Sequence, residues 1–304
     1  MVSKLMEVKF NFIKVSKIVS IITVLICSIG IISLSIKGFQ PGIEFTGGTA
    51  IVIDSANQQE IATKFSDSFP SENFEIVQIS KKNQQGEDVI QCKFTIKNNN
   101  VVALNNFLKE HEYKNLSIEA ISPDIGAELF YKIFYGFVIA LTIIAIYIAI
   151  RFDRHYSVGS LCALFHDIIF TLGILSLLNI NFSIEIVAGI LTIIGYSLND
   201  TIVVYDRIRE NVLKYSLDKQ IDKTSIVNIS LFETLSRTII TSLTTLFVVI
   251  ILLFFGGNSL MPFAICLIVG VLIGTYSSIF IASPITLFLD KKFPIKELEE
   301  EELL

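Results

Sequence analysis

Ionisable side chains stand in this sequence where they cost most. His166 and Asp167 fall inside one long apolar run, and Asn199 and Asp200 fall inside the next. Arg237 opens a third and is followed by Thr238, Thr241, Ser242, Thr244 and Thr245. An ionised group at the centre of a bilayer costs about 3 kcal/mol on insertion scales, so such residues face a bundle interior or a wet cavity and are functional candidates by default. The chemistry open to this set is proton movement. A carboxyl group in a dry bundle changes charge state when an arginine approaches or leaves, because a nearby cation favours the carboxylate. Two readings stand for His166, a hydrogen-bonded packing residue or a titrating one, and Asp167 either orients it or joins in the same transfer. Arg237 is either the partner of Asp200 or a helix anchor in the headgroups. Asp200, beside Asn199, is the strongest functional candidate of the set.

Six apolar runs position these residues. The chain has 304 residues, 52% of them hydrophobic and 17% charged, and the apolar ones are grouped rather than spread. The runs are Ile18–Ile36, Ile133–Ile150, Val158–Leu178, Ile184–Tyr205, Thr238–Phe255 and Pro262–Leu289. Each is long enough for about 20 helical residues to cross about 30 Å of hydrocarbon. The first has the length of an uncleaved anchor rather than of a signal peptide. Lys4, Lys9, Lys14 and Lys17 precede it, and Arg151 and Arg154 separate the second run from the third. Arg207, Arg209, Lys214, Lys219 and Lys223 follow the fourth, and Lys291, Lys292 and Lys296 follow the sixth. The short joints Asn179–Ser183 and Gly256–Met261 hold no Lys or Arg. By the positive-inside rule both termini are then cytoplasmic. Counting back from the outer joint at about 1.5 Å per residue puts Asp167 about 18 Å and Asp200 about 24 Å deep. An Asp200–Arg237 pair is therefore within reach. Ala188, Thr192, Gly195 and Asn199 form a smooth face on the fourth helix, and Gly270 and Gly274 a GxxxG on the sixth, both suited to close helix approach.

Between the first two spans, residues 37–130 read as an outer soluble domain. Ile43–Ile53, Phe74–Ser80, Val89–Ile96 and Leu116–Ile121 are strand-like, while Gln58–Phe69 and Val101–His111 have helical spacing. Breakers fall at Gly47–Gly48, Pro70 and Asn98–Asn100. The βαββαβ order predicts a ferredoxin-like α+β domain. The remaining divisions are a cytoplasmic N-terminus over 1–17, helix 1 over 18–36, helices 2–6 over 131–289 and an acidic tail over 290–304, with Glu297–Glu302 solvated. Residues 206–236 read as a cytoplasmic loop holding a surface helix.

Other functions find little purchase. Three of the four cysteines, Cys27, Cys162 and Cys266, lie in apolar runs, so Cys92 has no partner within the soluble segment. No Cys/His spacing suits a metal, and no basic patch with interleaved aromatics suits nucleic acid. No cofactor motif is present. An intramembrane aspartyl protease would pair Asp167 with Asp200, but the usual Tyr-Asp and Gly-x-Gly-Asp contexts are absent.

The motifs themselves resemble a family along almost the whole chain. Pro41-Gly-Ile-Glu-Phe-Thr-Gly-Gly48, Ala163-Leu-Phe-His-Asp167 and Gly195-Tyr-Ser-Leu-Asn-Asp-Thr-Ile-Val-Val-Tyr-Asp-Arg-Ile-Arg-Glu-Asn211 are similar in order and topology to the SecD/SecF family of the bacterial protein-export apparatus, in its SecF branch. Ser236-Arg-Thr-Ile-Ile-Thr-Ser-Leu-Thr-Thr245 and Gly274-Thr-Tyr-Ser-Ser-Ile-Phe-Ile-Ala282 extend the likeness. Glu44 stands where the family has Asp, and Ile121-Ser122-Pro123 where it has Val-Gly-Pro. The resemblance implies a polytopic α-helical protein of the inner membrane: a six-helix bundle, half of a twelve-helix RND-type unit, with a periplasmic domain. It implies no enzyme activity. It also implies SecD as partner, work beside the SecYEG channel, often with YajC, and exported unfolded polypeptides as cargo. The family's proton-passage residues map to Asp200 and Arg237. A drug or lipid exporter of the same superfamily is the rival, although such chains usually carry both halves.

Overall fold

Glycine, proline and capping residues divide the chain into its elements. The computed structural model describes residues 10–38, 40–54, 58–69, 74–82, 88–96, 101–111, 115–215, 222–257 and 260–292. Lys4, Lys9, Pro70, Asn98–Asn100, Lys219, Lys296 and the Glu297–Glu302 run lie outside them. Helix α1 (Phe12–Lys37) starts at Asn11, whose side chain accepts the Lys14 amide, and stops at Gly38 with φ of 72°. A single helical turn, α2 (Ile43–Thr46), then precedes β1 (Gly48–Asp54). The sequence reading began that strand at Ile43, which is corrected here. Gly47 turns the backbone at φ 72°, a conformation other residues adopt only under strain. Phe45 is buried instead of lying in a strand, with its ring against Phe130 and Phe182.

The rest of this segment follows the expected order. It comprises α3 (Gln58–Ser68), β2 (Phe74–Lys82), β3 (Asp88–Ile96), α4 (Val101–Glu110) and β4 (Asn115–Ile121). The sheet runs β2-β3-β1-β4, and every neighbouring pair is antiparallel. Phe65 and Phe69 of the α3 segment meet Phe107 of α4 at 5.5 and 5.8 Å, which closes the two helices on one another.

Helix α5 (Pro123–Arg151) begins directly after β4, ten residues before its apolar run. Ser122 accepts the Ile125 amide and Pro123 occupies the first turn, so the chain enters a helix at once. That geometry needs no glycine at position 122, where φ is −69°. Gly126 is required differently: a Cβ there would lie 2.8 Å from the Phe45 carbonyl oxygen, so only glycine lets α5 pack on α2.

Five further helical segments complete the bundle: α6 (Arg154–Leu177), α7 (Ile184–Tyr215), α8 (Lys223–Phe255), α9 (Met261–Ser277) and α10 (Ser283–Lys292). A π-helical turn, Ser278–Ala282, joins the last two, and the Ser283 hydroxyl donates to the Ser278 carbonyl within it. Among the described residues six helices are long and apolar enough to cross a membrane, the sixth formed by α9, the π turn and α10 together. Helices α6, α7 and α9 hold the core, with Leu164, Ile186, Ile193, Ile194 and Ala264 almost wholly buried. Close approach depends on glycine. Gly30 of α1 and Gly173 of α6 meet backbone to backbone, since a Cβ on Gly30 would lie 2.7 Å from the Gly173 Cα. Gly270 and Gly274 of α9 sit against Ile193 and Ser197 of α7, as the GxxxG predicts.

Two expectations fail. Ala188, Thr192, Gly195 and Asn199 are exposed, and a Cβ on Gly195 would meet nothing within 4 Å, so among the described residues that face packs on no helix. The face that packs is offset by one residue, through Gly189 and Ser197. The described parts of the 206–236 segment, 206–215 and 223–236, form no separate surface helix. They continue α7 and α8, with neither glycine nor proline among them. These extensions are joined by Arg207–Glu233 at 2.7 Å and Asn211–Ser230 at 2.9 Å, and Asn228 touches Asn11.

Candidate functional site

Two acids lie at the centre of the bundle, and their surroundings differ. Asp167 on α6 is 1% exposed and fully engaged. Its Oδ2 accepts the hydroxyls of Ser197 on α7 at 2.6 Å and Ser277 on α9 at 2.8 Å. Its Oδ1 is 2.9 Å from Nδ1 of His166. The Nε2 of His166 lies 3.0 Å from the Tyr276 hydroxyl on α9, and that hydroxyl lies 3.1 Å from Oγ1 of Thr23 on α1. Four helices thus meet in one chain of hydrogen bonds. A buried carboxyl group with several hydrogen-bond partners is held in place.

Asp200 on α7 is 3% exposed, and its Oδ2 is buried with no hydrogen-bond partner. The register of α7 against α8 shows what lies opposite. Tyr196 donates to Ser242 at 2.9 Å, and further along Arg207 meets Glu233 and Asn211 meets Ser230. Antiparallel helices in that register put Thr238 level with Asp200. The Thr238 Oγ1 is also buried and unpartnered, so two bare oxygens share one level of the bundle. Unpaired buried polar groups of this kind cost about 1–3 kcal/mol each and call for an explanation.

The expected Asp200–Arg237 contact is not formed. Arg237 is exposed, because it sits one residue round α8 from buried Thr238 and points away from the core. Asn199 is exposed beside Asp200, on the unpacked face of α7. His166 and Asp167 are joined to each other but not to Asp200, which lies one turn along α7 from Ser197. The two carboxylates share no hydrogen bond, so the dyad of an aspartyl protease is not assembled. Among the described residues no cluster of His, Cys, Asp and Glu suits a metal.

The sequence alone does not mark Ser197 and Ser277 as partners of Asp167, nor Tyr276 and Thr23 as the continuation through His166. Hydroxyl residues are common on helix-packing faces, so they carry no signal of their own. Their one cue was the Gly274-Thr-Tyr-Ser-Ser run.

Two family models match: the SecD/SecF GG motif over residues 32–57 and the C-terminal region of the protein-export membrane protein SecD/SecF over residues 101–292. The chain belongs to the SecD/SecF family. The second match spans every residue of the site except Thr23, and the first covers the Gly47–Gly48 turn. Among SecF relatives, the protein translocase subunit SecF of Haemophilus influenzae is 39% identical over 283 residues, covering 90% of this chain and 83% of that one. The subunit of the same name from Rickettsia prowazekii is 34% identical over 305 residues, covering 97% and 96%. The crystal structure of SecDF from Thermus thermophilus, described as a translocon-associated membrane protein, superposes with a TM-score of 0.80 at 34% identity. It covers 94% of this chain, which in turn spans 39% of that longer one. As a SecD/SecF family member with six apolar helices, the chain is a multi-pass membrane protein of RND type.

Proposed function

We propose that this chain serves protein export as a SecF-type subunit and that Asp200 carries protons for it. The observation behind the proton role is the bare, buried Oδ2 of Asp200 opposite the bare Oγ1 of Thr238. A carboxyl group without fixed partners can gain and lose a proton without breaking a network. Asp167, held by Ser197, Ser277 and His166, orients the bundle around it. Arg237 and Asn199 complete the pathway from the exposed side, where a movement of the arginine sets the charge state of Asp200. Protonation then shifts α7 against α8, and the sheet domain follows through α1 and α5. One charge crossing the membrane releases about 2.3 kcal/mol per 100 mV, enough to bias two conformations.

The same reading places the chain in the inner membrane with both termini cytoplasmic and the ferredoxin-like sheet domain in the periplasm. Arg151, Arg154, Arg207, Arg209 and Lys214 gather at the end of the bundle away from the sheet, which supports that orientation. SecD is the proposed partner. The fused SecDF relative, of which this chain spans 38%, supports the pairing, as does the exposed small-residue face of α7. SecYEG, YajC, the exported polypeptide and surrounding lipid complete the proposed assembly.

The test is export in cells depleted of their own SecF and supplied with this chain or its Asp200→Asn form at equal membrane levels. The native chain is expected to restore export and the variant to leave it at the depleted level. Equal restoration by both would remove Asp200 from the mechanism.

A further inference from the structure

The chain of bonds around Asp167 extends beyond the acids, to a helix that holds no charge in its span. Thr23 is 4% exposed, near the middle of α1. Its Oγ1 lies 3.1 Å from the Tyr276 hydroxyl, 253 positions away in sequence. With the Asp167 carboxylate accepting and the His166 ring neutral, one consistent set of donors and acceptors closes the chain. For His166 Nδ1 to bond Asp167 it must carry the hydrogen, since the carboxylate only accepts. In the neutral ring Nε2 is then an acceptor, so the Tyr276 hydroxyl donates to it. The tyrosine oxygen in turn accepts from Thr23. Every polar atom from α1 to Asp167 is satisfied in this one direction.

The tie also falls at a useful place. Helix α1 leads directly into α2 and β1, and so carries one of the two connections to the sheet domain. Elsewhere along its span α1 meets the core largely through small residues. Gly30 abuts Gly173, and Ser33 bonds Ser176 at 2.9 Å nearer the sheet end. The Thr23–Tyr276 bond is the link from α1 to the polar core itself. The Tyr276 ring is also held in place, edge-on to His166 at 5.7 Å and to Phe170 at 6.4 Å.

We propose that Thr23 and Tyr276 are positioning residues that fasten α1 to the Asp167–His166 core, so that movement of α6, α7 and α9 is passed to the sheet domain through α1. The proposal rests on the export reading above and adds the transmitting contact. Neither residue carries the proton.

Threonine allows a sharp test, because valine keeps its shape and loses the hydroxyl while serine keeps the hydroxyl and loses the methyl. Export would be measured in inverted vesicles holding the full complex, with Thr23→Val, Thr23→Ser, Tyr276→Phe and the Thr23→Val/Tyr276→Phe double variant at matched levels. An interhelical hydrogen bond in a membrane averages about 0.6 kcal/mol, so Thr23→Val is expected to slow export about three-fold. Thr23→Ser should export at the native rate. The double variant should be no slower than Tyr276→Phe alone. The proposal is overturned if Thr23→Val matches the native chain, if Thr23→Ser is the slower of the two, or if the double variant shows the product of the single losses. Thermal unfolding of the purified full-length variants supplies a readout independent of export, with the same non-additivity expected for Thr23 and Tyr276. If the native chain itself gives no export above vesicles lacking it, the export reading has failed. If it does and the Thr23 pattern is absent, only the tie has.

Discussion

Asp167 and Asp200 respond to one change in opposite ways. Asp200 makes no hydrogen bond through Oδ2, so Asp200→Asn removes a charge and no contact. Its unfolding midpoint should stay near that of the native protein while export is lost. Asp167→Ala strands two serine hydroxyls and the Nδ1 of His166. It should destabilise the purified protein by about 3 kcal/mol, read as a drop in that midpoint. The sequence shows both acids, because a charge inside an apolar run is conspicuous. It does not show which one is bare. That depends on hydroxyls contributed by α7 and α9, and a serine in an apolar run looks the same whether it meets a carboxylate or its own backbone. Arg237 illustrates a second gap: its level along α8 follows from counting, but one residue of helical rotation, about 100°, separates facing Asp200 from facing outward.

Among the helices, spacing by glycine decides what touches. Gly30→Leu would force α1 from α6, because its Cβ alone would meet the Gly173 backbone. The expected result is a loss of about 1–3 kcal/mol or failure to accumulate in the membrane, measured by unfolding and by membrane level. The number and order of the spans were legible in the sequence, since each is a long apolar run ending in a basic or a charge-free joint. So were the strand order along the chain and the pairing face of α9. The face of α7 was not. Ala188, Thr192, Gly195 and Asn199 and the neighbouring stripe through Gly189 and Ser197 are both smooth, and periodicity alone cannot choose between them. The extensions of α7 and α8 were missed for another reason. Mixed charge after Tyr205 suggests a surface segment, but the Asn211 amide donates to Ser230 and Glu233 inside a helical pair.

For the molecule as a whole, apolar surface is divided unevenly. Helices α6, α7 and α9 bury about half of their spans, whereas α1, α5 and α8 leave most of theirs exposed. The small-residue face of α7 and Arg237 are exposed on the same bundle, open to a second body. In the proposed complex that body is SecD. A Cβ at position 195 meets nothing within 4 Å and the residue is exposed, so Gly195→Leu should leave the unfolding midpoint of the isolated subunit unchanged and reduce the amount of SecD that copurifies with it. An unchanged yield of SecD would place the partner on another face. The central claim is that this subunit uses the proton gradient through Asp200. It is tested most directly by export into inverted vesicles before and after the gradient is collapsed with a protonophore, comparing the native chain with Asp200→Asn. The subunit-dependent part of export should disappear on collapse for the native chain and be absent already in the variant. Subunit-dependent export that survives collapse of the gradient would contradict it.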